Sequence, residues 1–305
     1  MTTLEAQEAG IYIPRDSIFL DSPDFIAQLR LGIQGEGGTG KSYAGMSFPY
    51  PTVLSYDRGL IMHKGRKDIQ EIKFYDDSVV DKIESRLSSR YTDIVTNIEK
   101  LTPANRKDAL IKWLETEGQK LTSKQTFIID GGTGVEAAFT SQYWVSPKMT
   151  KEGELDKWGE WNQKIKYFDQ LFVNLKGLRC NVIFIFHEVA DRAKDGELNG
   201  KVRPLLTGQS QDKLLKEFTD WYRSRVIPKP DDKDGEKRLK EKFRIDDQTF
   251  SEWMTSTPES NRSIYLWQTQ SDDIVNCKTS LVGAPKFVLA HASVFTKYDR
   301  TTEIE

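Results

Sequence analysis

The octapeptide GEGGTGKS, Gly35 to Ser42, constrains this chain more than any other stretch. It fits G-x-x-x-x-G-K-[ST] in full, and its surroundings suit the motif. LRLGI (Leu29 to Ile33) reads as a short buried strand entering it, and YAGMSF (Tyr43 to Phe48) as the start of a helix leaving it. Glycines let a backbone close around phosphates, so that amide N–H groups point at the anion. In such a loop the lysine reaches the β- and γ-phosphates and the hydroxyl ligates Mg²⁺. An ordinary Gly-rich turn is the other reading, and the agreement of strand, motif and helix disfavours it. The sequence therefore predicts a cradle of Gly35, Glu36, Gly37, Gly38, Thr39, Gly40, Lys41 and Ser42 for a nucleoside triphosphate with Mg²⁺. The guanine-reading pattern Asn-Lys-x-Asp does not occur, which points to ATP.

The rest of the chain reads as strands separated by helices, an α/β pattern. PTVLSYDRGL (Pro51 to Leu60) reads as a second buried strand ending at Tyr56-Asp57, QTFIIDGG (Gln125 to Gly132) as a third ending at Asp130, and CNVIFIFHE (Cys180 to Glu188) as a fourth that is apolar until His187. Residues 78–120 are polar with helical periodicity, broken at Pro103. Residues 133–160 read as a loop, 160–176 as a helix, and 190–209 as a long polar loop. Gln211 to Ser224 reads as a helix running into a strand around Trp221 to Ile227. The charged stretch 228–262 reads as a partly disordered or helical insertion. Ser263 to Gln270 and Asp273 to Leu281 read as a hairpin around Ser271-Asp272, adding antiparallel strands at one edge. The expected organisation is a lead-in over 1–28 and one ATPase domain over 29–305, with a helical insertion at 78–120 and a charged one at 228–262.

In open α/β sheets ligands bind at the carboxyl ends of the strands, where Asp57, Asp130 and His187 fall. Asp130 suits a metal ligand opposite Ser42, acting through water; capping the next segment is the plainer alternative. Gly131 follows it, where many motor ATPases place a catalytic glutamate. A carboxylate that orients attacking water must then come from elsewhere, and Asp57 is the candidate. The alternative for Asp57 is a simple Asp-Arg-Gly turn.

This arrangement resembles the RecA-type ATPase core: a mostly parallel sheet flanked by helices, with antiparallel edge strands and helical insertions. It is similar, more narrowly, to small phage-encoded RecA-like ATPases linked to single-strand annealing and recombination. The residues that carry the resemblance are the phosphate loop, FIFHE (Phe184 to Glu188) and YLWQTQSDDIVNCKTSL (Tyr265 to Leu281), and it covers most of 29–225 and 263–290. Asp57 stands where RecA-type recombinases commonly carry glutamate. The resemblance implies ATP hydrolysis on single-stranded DNA by a homo-oligomer, as a ring or a filament. It implies that His187 senses the γ-phosphate, and that Lys278 reaches a neighbouring subunit's nucleotide. A structural histidine and a solvated lysine are the plainer readings, and Arg192 and Arg203 are alternative trans-acting cations.

It also implies that DNA meets the segments after the third and fourth strands. The first carries Tyr143, Trp144, Lys148, Lys151, Lys157, Trp158 and Trp161, the second Arg192, Lys194, Lys201 and Arg203. Aromatics offer stacking faces and cations track phosphates, although Trp158 and Trp161, three apart, also fit the core face of a helix. Composition limits the reading. A net charge of −2 provides no global basic field, so any nucleic-acid contact is local. An assembly or regulatory protein gated by nucleotide, without direct DNA contact, is the alternative. Two cysteines in apolar runs and three isolated histidines form no metal-ligand cluster. Neither a signal-peptide pattern nor an apolar run of membrane-spanning length is present, so a cytoplasmic protein without membrane contact is expected.

Overall fold

Nine strands form a single sheet in the computed structural model, which describes residues 28–56, 63, 65–73, 106–145, 147, 149–151, 153–154, 156–192, 198–206, 210–257 and 261–298. In chain order the elements are β1 (Arg30–Gly35), α1 (Lys41–Gly45), β2 (Pro51–Ser55), β3 (Gln70–Lys73), α2 (Arg106–Glu115), β4 (Thr126–Asp130), α3 (Gly132–Val145), α4 (Lys157–Gly177), β5 (Asn181–Arg192), β6 (Leu198–Pro204), α5 (Ser210–Glu217), β7 (Asp220–Pro228), α6 (Lys233–Phe243), α7 (Asp247–Ser256), β8 (Ser263–Gln268), β9 (Phe287–Leu289) and α8 (Val294–Lys297). The strand order is β3-β2-β4-β5-β1-β7-β8-β9, with β6 paired to β5. Pairings from β3 across to β7 are parallel; β7–β8, β8–β9 and β5–β6 are antiparallel. The sheet is thus mostly parallel with antiparallel edge strands, as the sequence pattern predicts.

Apolar runs make the central strands because helices cover both faces. Every residue of β1, β2 and β4 is buried. Alternation along β5 divides the core: Phe184 and Phe186 pack with α2, α3 and α4, while Ile183 and Ile185 pack with α1 and the C-terminal segment. Burial of this apolar area is the main stabilising term. A third, smaller cluster joins Trp253 of α7 to Ile227, Ile264 and Phe287.

Several expectations are corrected. Residues 132–145 form α3, not a loop, with Val135, Ala138, Phe139 and Tyr143 buried on one helical face. Within the segment 190–209, expected as a polar loop, β5 runs on to Arg192 and Leu198–Pro204 forms β6, paired to it. No strand forms over 273–281. There the Asp272 carboxylate accepts from the Ile274 and Val275 amides at 3.0 Å each, folding the chain into a turn, and β8 pairs with β7 and β9 instead. Within 228–262 the helical alternative holds over α6 and α7, which Asp232 and Asp246 cap by accepting from Gly235 N and Thr249 N at 2.6 Å. Of the expected helical insertion at 78–120, α2 packs into the main core through Leu110, Ile111, Trp113 and Leu114. Its remainder through residue 105, most of the 1–28 lead-in and Asp57 lie outside the described residues.

Candidate functional site

The phosphate loop leaves β1 at Gly35 and enters α1 at Lys41. Gly38 and Gly40 hold φ of 77° and 78°, a left-handed conformation open to glycine at little cost. Around Gly37 and Gly38 the space is clear, so their backbone is free to approach an anion. Gly40 has a second constraint, since a Cβ there would lie 2.6 Å from the Tyr265 ring. The loop is fastened from outside. Ser224 Oγ of β7 donates to Thr39 O at 2.7 Å, and Thr39 Oγ1 donates to Glu36 O at 2.9 Å.

Lys41 is 7% exposed, and its Nζ donates to the carbonyls of Gly35 at 2.9 Å and Glu36 at 2.5 Å. Burial lowers its pKa from the ordinary lysine value, while the charges of Asp130, Glu188 and Glu36 oppose the shift. The three acid charges thus offset only part of the burial penalty on the ammonium. Asp130 ends β4 and is nearly buried, beside Ser55 on one neighbour and Ile185 on the other. Gly131, at φ 112°, turns the chain at once into α3. There Gly132 and Gly134 let the helix start press against Phe186 and Tyr56. Oxygen donors suit Mg²⁺, so Ser42 and Asp130 could hold one with nucleotide oxygens, in a cradle that a bound triphosphate's charge would fit.

His187 is exposed and pairs in register with Gly35, the last parallel step between β1 and β5. It stands at the carboxyl edge of the parallel sheet, but the strand does not end there. Lys278 is not brought to the loop of its own chain. Its backbone bridges Trp221 near the start of β7, and its Nζ donates to Phe218 O at 2.8 Å. Tyr143, expected in a DNA loop, is buried and donates to Asp156 O at 3.2 Å. Trp158 is 78% exposed rather than a core residue. Lys201 and Arg203 are exposed on β6; the side chains of Trp144, Arg192, Lys148 and Lys194 lie outside the described set.

Three site residues were not foreseen. The Glu188 side chain is 2% exposed and is held by Arg223 of β7 through bonds of 2.6, 2.9 and 3.2 Å, across the end of β1 where the loop begins. Arg225, two residues on, points with Arg223 along β7 and donates to Gln268 at 3.1 Å. Burial lowers its pKa, and the Arg223 charge lowers it further. With Glu36, Thr39 and Arg244 these residues line a cleft of about 580 Å³ beside the loop. The signal was present as two arginines alternating within an apolar strand, WYRSRVI, but the acid that meets Arg223 is 35 residues away.

A protein-family model described as an AAA domain matches residues 27–233, well over half of the chain. The chain belongs to the AAA domain family. The match begins just before β1 and ends at the start of α6, so the AAA domain holds the phosphate loop, Asp130, the Glu188–Arg223 pair and the β5–β6 hairpin. The chain is thus a P-loop ATPase domain of AAA type.

No curated protein matches this sequence. Among solved structures, the AAA domain chain is similar to the ATPase EscN, in complex with its central stalk EscO, of the enteropathogenic E. coli type III secretion system. Identity is 13% over 64% of this chain and 42% of that chain, with a TM-score of 0.32. It is also similar to the RadB recombinase, 13% identical over 68% and 79% of the two chains, TM-score 0.33. A third is the pCW3 conjugation coupling protein TcpA in monomer form with ATPγS, 12% identical over 82% and 60%, TM-score 0.26. The chain thus spans about two fifths of the EscN chain it matches. Among the described residues no helix is long and apolar enough to cross a membrane.

Proposed function

We propose that this AAA domain protein binds and hydrolyses ATP with Mg²⁺ while acting on single-stranded DNA, in recombination, annealing or replication of the phage type, as a homo-oligomeric ring or filament. Lys41 and the loop amides hold the phosphates, Ser42 and Asp130 hold the metal, and Asp57 orients the attacking water. His187 senses the γ-phosphate, and Lys278, with Arg192 as the alternative, serves a neighbouring subunit's nucleotide.

One observation carries the reading. β5 lies directly beside β1, with His187 opposite Gly35, and its continuation to Arg192 pairs with β6, which carries exposed Lys201 and Arg203. A strand of DNA on the hairpin and a nucleotide on the loop would then act on adjoining backbone. The test is ATP hydrolysis with and without single-stranded DNA. DNA is expected to stimulate turnover, and Lys41→Ala to abolish it. Absence of single-strand binding with any nucleotide at low salt would overturn the reading.

The second reading, nucleotide-gated assembly without DNA, is favoured by Trp158 and Val173, which stand 78% and 70% exposed on α4 and would suit a protein partner. Hydrolysis indifferent to DNA, with oligomerisation driven by nucleotide alone, would establish it.

A further inference from the structure

The cleft beside the phosphate loop joins two parts of the chain. The loop and β7 belong to the stretch that matches the AAA domain, whereas the end of α6 and the approach to β9 lie beyond it. Five cations and two acids line the cleft. One cation, Arg223, already holds Glu188. The other four are Arg225, Lys242, Arg244 and Lys286. Lys242 and Arg244 are exposed, the Lys286 side chain is 38% exposed and Arg225 is half-buried, so a ligand in the cleft has access to them.

Two of these cations stand where the chain alone gains little from them. Arg244 follows α6 at φ 52°, the left-handed position that glycine commonly takes at a helix end. An L side chain bears strain there, yet the residue is an arginine at the cleft. Arg225 shares one face of β7 with Arg223 and donates to the neutral amide of Gln268 at 3.1 Å. Burial and the Arg223 charge both oppose its own charge, a penalty that an anion would relieve. Cations near a helix C-terminus also complement its dipole. That accounts for Lys242, but not for Arg225 or Lys286, which come from β7 and the segment entering β9. Lys286 is paired with Asp272 at 3.0 Å, and exposed Glu36 stands on the loop side. An anion is therefore best placed among Arg225, Lys242 and Arg244.

We propose that this cleft is a phosphate site separate from the phosphate loop, and that it takes phosphates of a single DNA strand. The inference rests on the DNA reading above and names where that strand is gripped. Guanidinium forks match phosphate oxygens, and a volume of about 580 Å³ suits a unit of nucleotide size. Cations continue along the same sheet edge, which favours a strand over a free nucleotide: Glu188, at the cleft, pairs in register with Pro204 of β6, next to exposed Arg203. The Phe243 ring meets Phe287 edge-on, and Lys242 Nζ lies over it at 5.8 Å. The cleft thus offers charge rather than a stacking face, and it grips the backbone without reading bases.

The experiment measures binding of labelled oligothymidylate, an abasic strand of equal length and inorganic tripolyphosphate to the full chain with saturating ATP, at several salt concentrations. Arg244→Gly removes the cation and the backbone strain together, so its melting midpoint is expected to be no lower than that of the wild type. Lys242→Gln removes the neighbouring charge, and Arg244→Lys keeps a charge on the same backbone. Arg244→Gly and Lys242→Gln are each expected to weaken both strands alike, roughly fivefold near 0.1 M salt, with a salt slope shallower by about 0.7. Arg244→Lys is expected to keep the wild-type slope. Wild-type strand affinity and slope in both charge-removing variants would overturn the cleft assignment and leave the DNA reading standing. Weaker tripolyphosphate binding with strand binding unchanged would overturn the strand as the source of the phosphates. No strand binding by any of the proteins would sink the DNA reading and this inference together.

Discussion

Two segments leave neighbouring strands of the sheet on the same edge and end in opposite states. After β4, Gly131 turns the chain directly into α3, which buries Val135, Phe139 and Tyr143 and is tied to α4 by a buried ion pair between Glu136 and Lys164. After β5 there is no such turn, and the strand continues past the sheet edge into a hairpin with exposed cations. The first footing is apolar. The second is polar: Val202 N of β6 donates to Ile274 O at 2.8 Å, in a turn that Asp272 organises. The lesson is that two polar segments leaving adjacent strands, both expected as loops, need not both remain loops. Here one is core, and the other leaves Lys201 and Arg203 at the surface.

The contrast can be broken most forcefully in α3. Phe139, 3% exposed and stacked on Tyr143 and Tyr167, should cost about 3–5 kcal/mol when changed to Ala. A urea midpoint for Phe139→Ala close to the wild type would show that α3 is not core. Acid should act on the other footing. Burial tends to raise the Asp272 carboxyl, but Lys286, the Val275 and Ile274 amides and Gln268 outweigh it and hold it at about 2, against 3.8 ordinarily. A folded value below the unfolded one stabilises fully above pH 4 and is lost as pH falls towards 2, worth at most about 2 kcal/mol given partial exposure. Hydrogen exchange should accelerate at Val202 N across that window while α3 amides hold, and Asp272→Asn should remove the pH dependence. Arg203→Ala has the smallest expected effect, with stability within about 0.5 kcal/mol of the wild type. Its signature should be a salt slope of single-strand affinity shallower by about 0.7, read by fluorescence anisotropy titrations at several salt concentrations.

What the sequence revealed follows from how locally each feature is encoded. The phosphate loop, its strand and Asp130 at the end of β4 are contiguous runs whose pattern needs no distant partner. α3 was hidden although Val135, Ala138, Phe139 and Tyr143 have helical spacing, because its aromatics and the lysines beyond them read as a binding loop. The caps at Asp232 and Asp246 were legible in principle, yet the high charge around them masks them. The turn at Asp272 defeats an alternating pattern through one side chain's bonds to backbone. Glu188 and Gln34 take their meaning from Arg223 and Trp221 across the sheet, a pairing that strand order creates and linear spacing does not announce.

The fastening of the phosphate loop has a kinetic consequence. With Thr39 held by Ser224, and Gly40 seated against Tyr265, the cradle is shaped by contacts from the sheet that do not involve a triphosphate. Capture then carries little ordering entropy, so its rate is set by diffusion and by the pull between Lys41 and the arriving anion rather than by loop closure.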